Sequence, residues 1–310
     1  METDALALAR THSEKNLPER LGYGPVDLSV TNLDRAVAFW TSVLGFVPRT
    51  EPGPGVALGT TQRTLVILHP GATAQCAKGH LGMYHVAFGV PFQAEFSRLM
   101  RRFRQLKIRH APVDHLMSKA MYLNDPDGHG IEIALETPER FSCFRQDARG
   151  FLLLDVQGRP HSGREALDIA AELAMAENAD LGAPISDEAV VAHVHLHVPA
   201  LEPALDWFEG IGFARSLYLP DMGLADMGAG ATYTHRLALN VWAGPGAKPA
   251  PSDSARLLGY RLTTTDPVVF DRARSRLIVD AAGRLIGIDP AGIALTLNLR
   301  PAAKIGKFAA

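Results

Sequence analysis

The chain has 310 residues, of which 47% are hydrophobic and 21% charged, with 31 Lys and Arg set against 33 Asp and Glu. That is enough apolar material for one large or two ordinary domains, which excludes disorder as the main state. The formal charge of −2 gives no basic excess for nucleic acid or an anionic membrane. No apolar run approaches the roughly 18 residues of a membrane span. The opening METDALALARTHSEKNLPER lacks the basic-then-apolar order of a signal peptide. Two cysteines, Cys76 and Cys143, are too few for a disulfide framework or a thiolate metal site. The expectation is a cytoplasmic protein that binds neither nucleic acid nor membrane.

The first 20 residues are polar and read as a loose lead-in. Residues 24–46 then alternate as a strand, with Val26, Leu28 and Val30 on one face, and pass into helical spacing through Val37, Trp40 and Leu44 before Gly45. One or two short strands follow over 56–69. The pattern returns with a strand at 83–90 and a helix over 93–106, whose Phe96, Leu99, Met100 and Phe103 fall at i, i+3, i+4 and i+7. Two strands over 120–135 flank an Asp-Pro-Asp-Gly turn. It returns again at 193–213, where Val194, Leu196 and Val198 match Val26, Leu28 and Val30, and Trp207-Phe208 matches Phe39-Trp40. A fainter fourth copy has a strand at 258–265, a helix at 267–277, and GIDPAGIALTL (287–297) matching LNDPDGHGIEI.

Four βαβββ-like units are thus expected, at about 24–70, 83–136, 192–243 and 258–298, giving an α+β fold. They divide the chain into an N-terminal domain (1–140), a connector (141–190) with a helix over 164–179, and a C-terminal domain (191–300). The basic run Arg101-Arg102-Phe103-Arg104 reads as the solvated side of a helix.

The repeats single out the candidate ligands. At the head of the first strand, unit two has His85 and unit three His193, where unit one has Pro25 and unit four is read as Arg261. After the Asp-Pro-x-Gly turn, unit two has Glu132 and unit four Thr296. Two imidazoles and one carboxylate are the facial ligand set of non-haem Fe(II) oxygenases, and they also suit Mn(II), Co(II), Ni(II) or Zn(II). A lone strand histidine is more often structural. Three candidate ligands at related positions, with Glu132 flanked by Ile131 and Ile133 where an unpaired carboxylate is costly, favour a site. His195 and His197 share the face of His193 and compete with it.

Taken together, the motifs resemble the vicinal oxygen chelate superfamily, and within it the two-domain extradiol dioxygenases of the bacterial catechol 2,3-dioxygenase-like group. The resemblance is carried by Gly24-Pro25-Val26 with Asn32-Leu33-Asp34-Arg35, by Tyr84-His85-Val86-Ala87-Phe88, and by Asp114-His115. It continues through Met121-Tyr122-Leu123, Asp125-Pro126-Asp127-Gly128, Gly130-Ile131-Glu132-Ile133, His193-Val194-His195-Leu196 and Leu239-Asn240-Val241-Trp242. It implies four βαβββ units forming two vicinal-oxygen-chelate modules, with His85, Glu132 and His193 holding Fe(II), or alternatively Mn(II), if units two and three share a cleft. It further implies His235 as acid/base, Tyr122 as a contact to a substrate hydroxyl, and His115 at the pocket wall. The implied reaction opens an aromatic diol with O2, and relatives commonly assemble as homo-oligomers. Two other readings remain: a glyoxalase-like metal-dependent isomerase or lyase, whose typical sites use four ligands, and a metal-free binding protein for an aromatic compound.

Overall fold

The computed structural model describes residues 19–50, 53–147, 150–230 and 233–300; most of the polar lead-in lies outside them. Unit one comprises β1 (Gly22–Val30), α1 (Leu33–Ser42), β2 (Val47–Arg49), β3 (Val56–Gly59) and β4 (Thr64–Pro70). Unit two comprises β5 (Gly82–Gly89), α2 (Gln93–Gln105), β6 (Ala111–Asp114), β7 (Ser118–Asn124) and β8 (Gly130–Glu136). The connector holds β9 (Phe141–Asp147), β10 (Gly150–Asp155), β11 (Pro160–His161) and α3 (Ile169–Ala174). Unit three has β12 (Val190–His197), α4 (Leu201–Gly210), β13 (Ala214–Leu219), β14 (Leu224–Gly228) and β15 (Leu237–Asn240). Unit four has β16 (Leu257–Thr264), α5 (Pro267–Ala273), β17 (Ile278–Val279), β18 (Leu285–Ile288) and β19 (Ala294–Leu299).

Local chemistry explains the recurring shape. The Asn32 side chain caps α1 by accepting the Arg35 N–H, and Ala36 and Trp40 bury one stripe. Gly45, at φ 77°, takes the left-handed conformation that ends the helix. Phe96, Leu99, Met100 and Phe103 are all fully buried, as their spacing predicts. Each Asp-Pro-x-Gly turn is closed by its own carboxylate: Asp125 Oδ1 accepts the N–H groups of Asp127 and His129, and Asp289 Oδ1 those of Ala291 and Ile293.

The units pair across the sequence. One eight-stranded sheet runs β17-β18-β19-β16-β1-β4-β3-β2, joining units four and one. The other runs β13-β14-β15-β12-β5-β8-β7-β6, joining units three and two. At each seam the two first strands run antiparallel, β1 with β16 and β5 with β12. One apolar core spans both sheets. Trp40 from unit one packs edge-on against Phe88 of unit two at 5.6 Å between centroids, and Tyr23 lies 6.5 Å from Phe213 of unit three. Among the described residues no helix is long and apolar enough to cross a membrane.

Two expectations are corrected. The connector helix spans only Ile169–Ala174 rather than 164–179. Glu165 is drawn instead into backbone pairing with Asp114, each N–H donating to the other's carbonyl at 2.8 Å. The basic run of α2 is a solvated face only at Arg104, which is exposed. Arg102 is buried and donates to the carbonyls of Ser42 and Ala183, and Arg101 donates to that of Leu173. Arg98, one turn earlier, is locked to Glu95 and the carbonyls of Ala183 and Pro184. These guanidiniums fasten the connector to unit two.

Candidate metal centre

The site is built on one row of the second sheet. Tyr122 on β7 pairs with Glu132 on β8, Glu132 with Ala87 on β5, and Ala87 with His193 on β12. Directly opposed residues share a face, and so do residues two apart on one strand. His85 therefore joins Glu132, Ala87 and His193 on that face. The methyl group of Ala87 leaves the middle of the row open, with one ligand side chain rising on each side and a third two residues along.

The three candidate ligands converge. His85 Nε2 lies 3.0 Å from Glu132 Oε2, His193 Nε2 lies 3.2 Å from the same oxygen, and the two Nε2 atoms are 3.2 Å apart. All three residues are buried. Neighbouring ligands about 2.1 Å from an octahedral ion stand about 3.0 Å from one another. The triangle thus has the dimensions of one face of an octahedron. Glu132 Oε2 makes no hydrogen bond of acceptable geometry despite its burial, an unsatisfied charge that a cation would satisfy.

Protonation fits the same use. Burial pushes the His193 imidazole down to about 3, so it is neutral at ordinary pH. Burial alone would raise the Glu132 carboxyl, but the His193 and His85 rings beside it hold it well below the usual carboxylate range. Metal ligation requires these deprotonated forms.

The other expected residues surround this triangle in a cavity of about 740 Å³. The His235 ring lies 4.4 Å from that of His193, and its Nδ1 is 2.9 Å from Asp226 Oδ2. Burial opposes its charge, but Asp226 outweighs burial and raises the His235 pKa above its ordinary value. His115 Nδ1 donates to the Gly163 carbonyl at 2.6 Å, which leaves Nε2 to accept the Tyr122 hydroxyl at 2.9 Å. Burial lowers the His115 pKa, consistent with that neutral tautomer, and raises the Tyr122 phenol well above its usual value. His195 and His197 are engaged elsewhere: Asn240 Nδ2 donates to His195 Nε2 at 2.8 Å, and His197 Nδ1 donates to Asn240 Oδ1 at 2.5 Å.

Several residues of the site escaped the sequence reading. Asp226 and Ala87 have no repeat-related signal, and the roof of the cavity comes from the connector, through Phe144, Phe151, Leu153, Gly163 and Arg164. One repeat assignment also shifts. Pro25, His85 and His193 each stand seven residues before a helix N-cap, at Asn32, Phe92 and Ala200, and the same count from Asp266 reaches Gly259, not Arg261. Arg261 pairs with Thr296 as Ala87 pairs with Glu132. In unit three the partner strand places Ala238 opposite His195, the position that Glu132 holds in unit two. The second sheet thus offers three ligands and an alanine at the fourth related position.

The turn before Glu132 has its own buried ion pair. His129 Nδ1 lies 2.9 Å from Asp125 Oδ2, both side chains fully buried, and Trp40 Nε1 donates to the same oxygen at 3.4 Å. Burial alone would lower the His129 pKa, but Asp125, with Cys76 alongside, raises it to about 10. Removing one partner of a buried pair leaves the other uncompensated, so His129→Ala is expected to cost about 3–5 kcal/mol at pH 6. A folded-state pKa above the ordinary 6.5 makes this contribution complete below about pH 6.5 and lost as pH rises through about 10. Denaturant titrations of both proteins at pH 6 and pH 10 test this. A stability gap that stays constant would show that charge pairing is not its source.

Known proteins share this architecture. Residues 22–133 match the Glyoxalase/Bleomycin resistance protein/Dioxygenase superfamily. The chain is 28% identical over 258 residues to catechol-2,3-dioxygenase of Bacillus subtilis (strain 168), covering 82% of this chain and 86% of that protein. A putative dioxygenase from Bacillus subtilis superposes with a TM-score of 0.58 at 12% identity, covering 92% of this chain and 87% of the other. A glyoxalase I mutant from Zea mays gives a TM-score of 0.51 at 14% identity, covering 94% and 96% respectively. At those identities the two structures speak for the fold alone. The first two units thus match the sequence model of the glyoxalase/bleomycin resistance protein/dioxygenase superfamily, and nearly the whole chain shares the fold of these two structures.

Proposed function

We propose that the protein is an Fe(II)-dependent extradiol dioxygenase that opens the ring of a catechol-type diol with O2. The observation that carries this reading is the buried triangle of His85, Glu132 and His193 at the base of a cavity wide enough for an aromatic ring. Fe(II) held there would supply the site where both diol oxygens and O2 meet and exchange electrons.

The chain's own groups do the rest. Apolar side chains of the connector and of β13, such as Phe144, Phe151, Leu217 and Leu219, line the cavity and keep water from the ring. His235, held by Asp226 and with a proton affinity above that of an ordinary histidine, takes the proton that a diol hydroxyl must lose and later returns it to an oxygen of the opening ring. The Tyr122 hydroxyl lies beside Glu132 and, on turning its proton from His115 to the substrate, steadies a substrate oxygen.

A glyoxalase-like isomerase on the same fold is the second reading. The alanine at position 238 weighs against it, because the four-ligand sites implied by that resemblance need a further donor there. Oxygen uptake by Fe(II)-loaded protein with a panel of substituted catechols tests the proposal. Uptake with a yellow ring-opened product is expected. Iron bound stoichiometrically without uptake would favour the isomerase, and failure to bind any divalent metal would leave a binding protein.

A further inference from the structure

Four charged side chains other than histidine line the cavity: Glu132, Asp226, Arg109 and Arg164. Both carboxylates are committed, Glu132 to the triangle with His85 and His193 and Asp226 to His235. Neither arginine guanidinium has a hydrogen-bonded or ion-paired partner among the described residues. This contrasts with Arg98, Arg102, Arg140 and Arg215, all of which are tied to carboxylates or carbonyls. The cavity therefore presents uncompensated positive charge to whatever fills it.

Arg164 is the better placed of the two. Its guanidinium carbon stands 6.0 Å from the centroid of the Tyr122 ring, and that ring lies 5.4 Å from the ring of His85. The backbone beneath it is fixed: the Gly163 carbonyl accepts from His115, and Glu165 is paired with Asp114. An acid held at Arg164 would thus lie across the Tyr122 ring from the ligand triangle, under the apolar roof.

Building on the proposed diol reading, we propose that the substrate is an aromatic diol bearing an acidic substituent, and that Arg164 anchors that acid. Guanidinium and carboxylate match as a two-pronged, charge-assisted pair. The anchor fixes the ring's orientation and so selects which end of the diol lies nearest His235 and which nearest Tyr122.

The test compares 3,4-dihydroxyphenylacetate with 4-ethylcatechol, which replaces the carboxylate by a methyl group at similar size. Binding of each to Fe(II)-loaded protein is measured calorimetrically without oxygen, for the unaltered chain, Arg164→Met, Arg164→Lys and Arg109→Met. The acid is expected to bind about tenfold more tightly than 4-ethylcatechol. Arg164→Met should erase that preference while leaving 4-ethylcatechol affinity unchanged, and Arg164→Lys should restore part of it. Equal affinity for the two ligands, or loss of the preference only in Arg109→Met, overturns the assignment. Oxygen uptake with 4-ethylcatechol then judges the reaction separately. Its absence alongside a retained, Arg164-dependent preference would remove the dioxygenase reading and leave the acid subsite standing.

Discussion

Glu132→Ala protein will fold, and it will bind Fe(II) more weakly by over about 100-fold, exceeding the 10–100-fold typical of residues that merely support a ligand. Two independent readouts follow. Iron retained after gel filtration should fall from one equivalent to background, and ring opening should vanish with it. In the metal-free state the variant should be somewhat less stable than the parent at neutral pH, because the His193 and His85 rings that hold the Glu132 carboxyl below its usual range lose that partner. Thermal unfolding with and without Fe(II) separates the two effects. The parent's midpoint should rise on adding metal and the variant's should not. An undiminished rise in the variant would show that the ion sits elsewhere.

His235→Ala should leave iron binding intact and lower kcat by about 10²–10⁴-fold, the usual worth of a placed acid/base group. The geometry makes the distinction sharp. His235 contacts the ring of His193, but its Nδ1 is directed to Asp226 rather than to the triangle. Asp226→Asn should cause a smaller loss, because it removes the carboxylate that raises the His235 pKa while leaving the imidazole in place. Iron stoichiometry and kcat measured on the same preparations check this. A variant that loses metal and turnover together would make His235 a ligand, and one within tenfold of the parent would end its role in proton transfer.

Much of the fold was legible because each unit obeys local rules. Strand alternation, the 3.6-residue stripe of α2 and the Asp-Pro-x-Gly turns depend on neighbours within a few residues, and the repetition exposes them several times over. His85, Glu132 and His193 were readable for the same reason, each standing at a fixed distance from a helix cap or a turn. The parts that were not legible depend on partners far away in sequence. Asp226 joins the candidate site only because β14 brings it to His235, and Ala87 only because β8 and β12 flank it. The 164–179 stretch has helical spacing, yet its first residues gain more by pairing with β6 than by extending α3. Arg102 looks like a surface charge until the carbonyls of Ser42 and Ala183 close over it. Arg261 was assigned by strand pattern alone, and the distance to the helix cap moves that position to Gly259.

The interleaved pairing of units has a consequence for how the chain comes into being. The first half, as it leaves the ribosome, carries two four-stranded pieces, β1-β4-β3-β2 and β5-β8-β7-β6, each ending in an unpaired central strand. Neither piece can close on the other half's behalf, so nascent chains wait with two adhesive margins exposed. The candidate ligand set is split in the same way, two residues made early and one late. An ion captured across that divide would act as a rivet between the halves. Separately expressed halves should therefore find each other, and dissolved metal should speed their union.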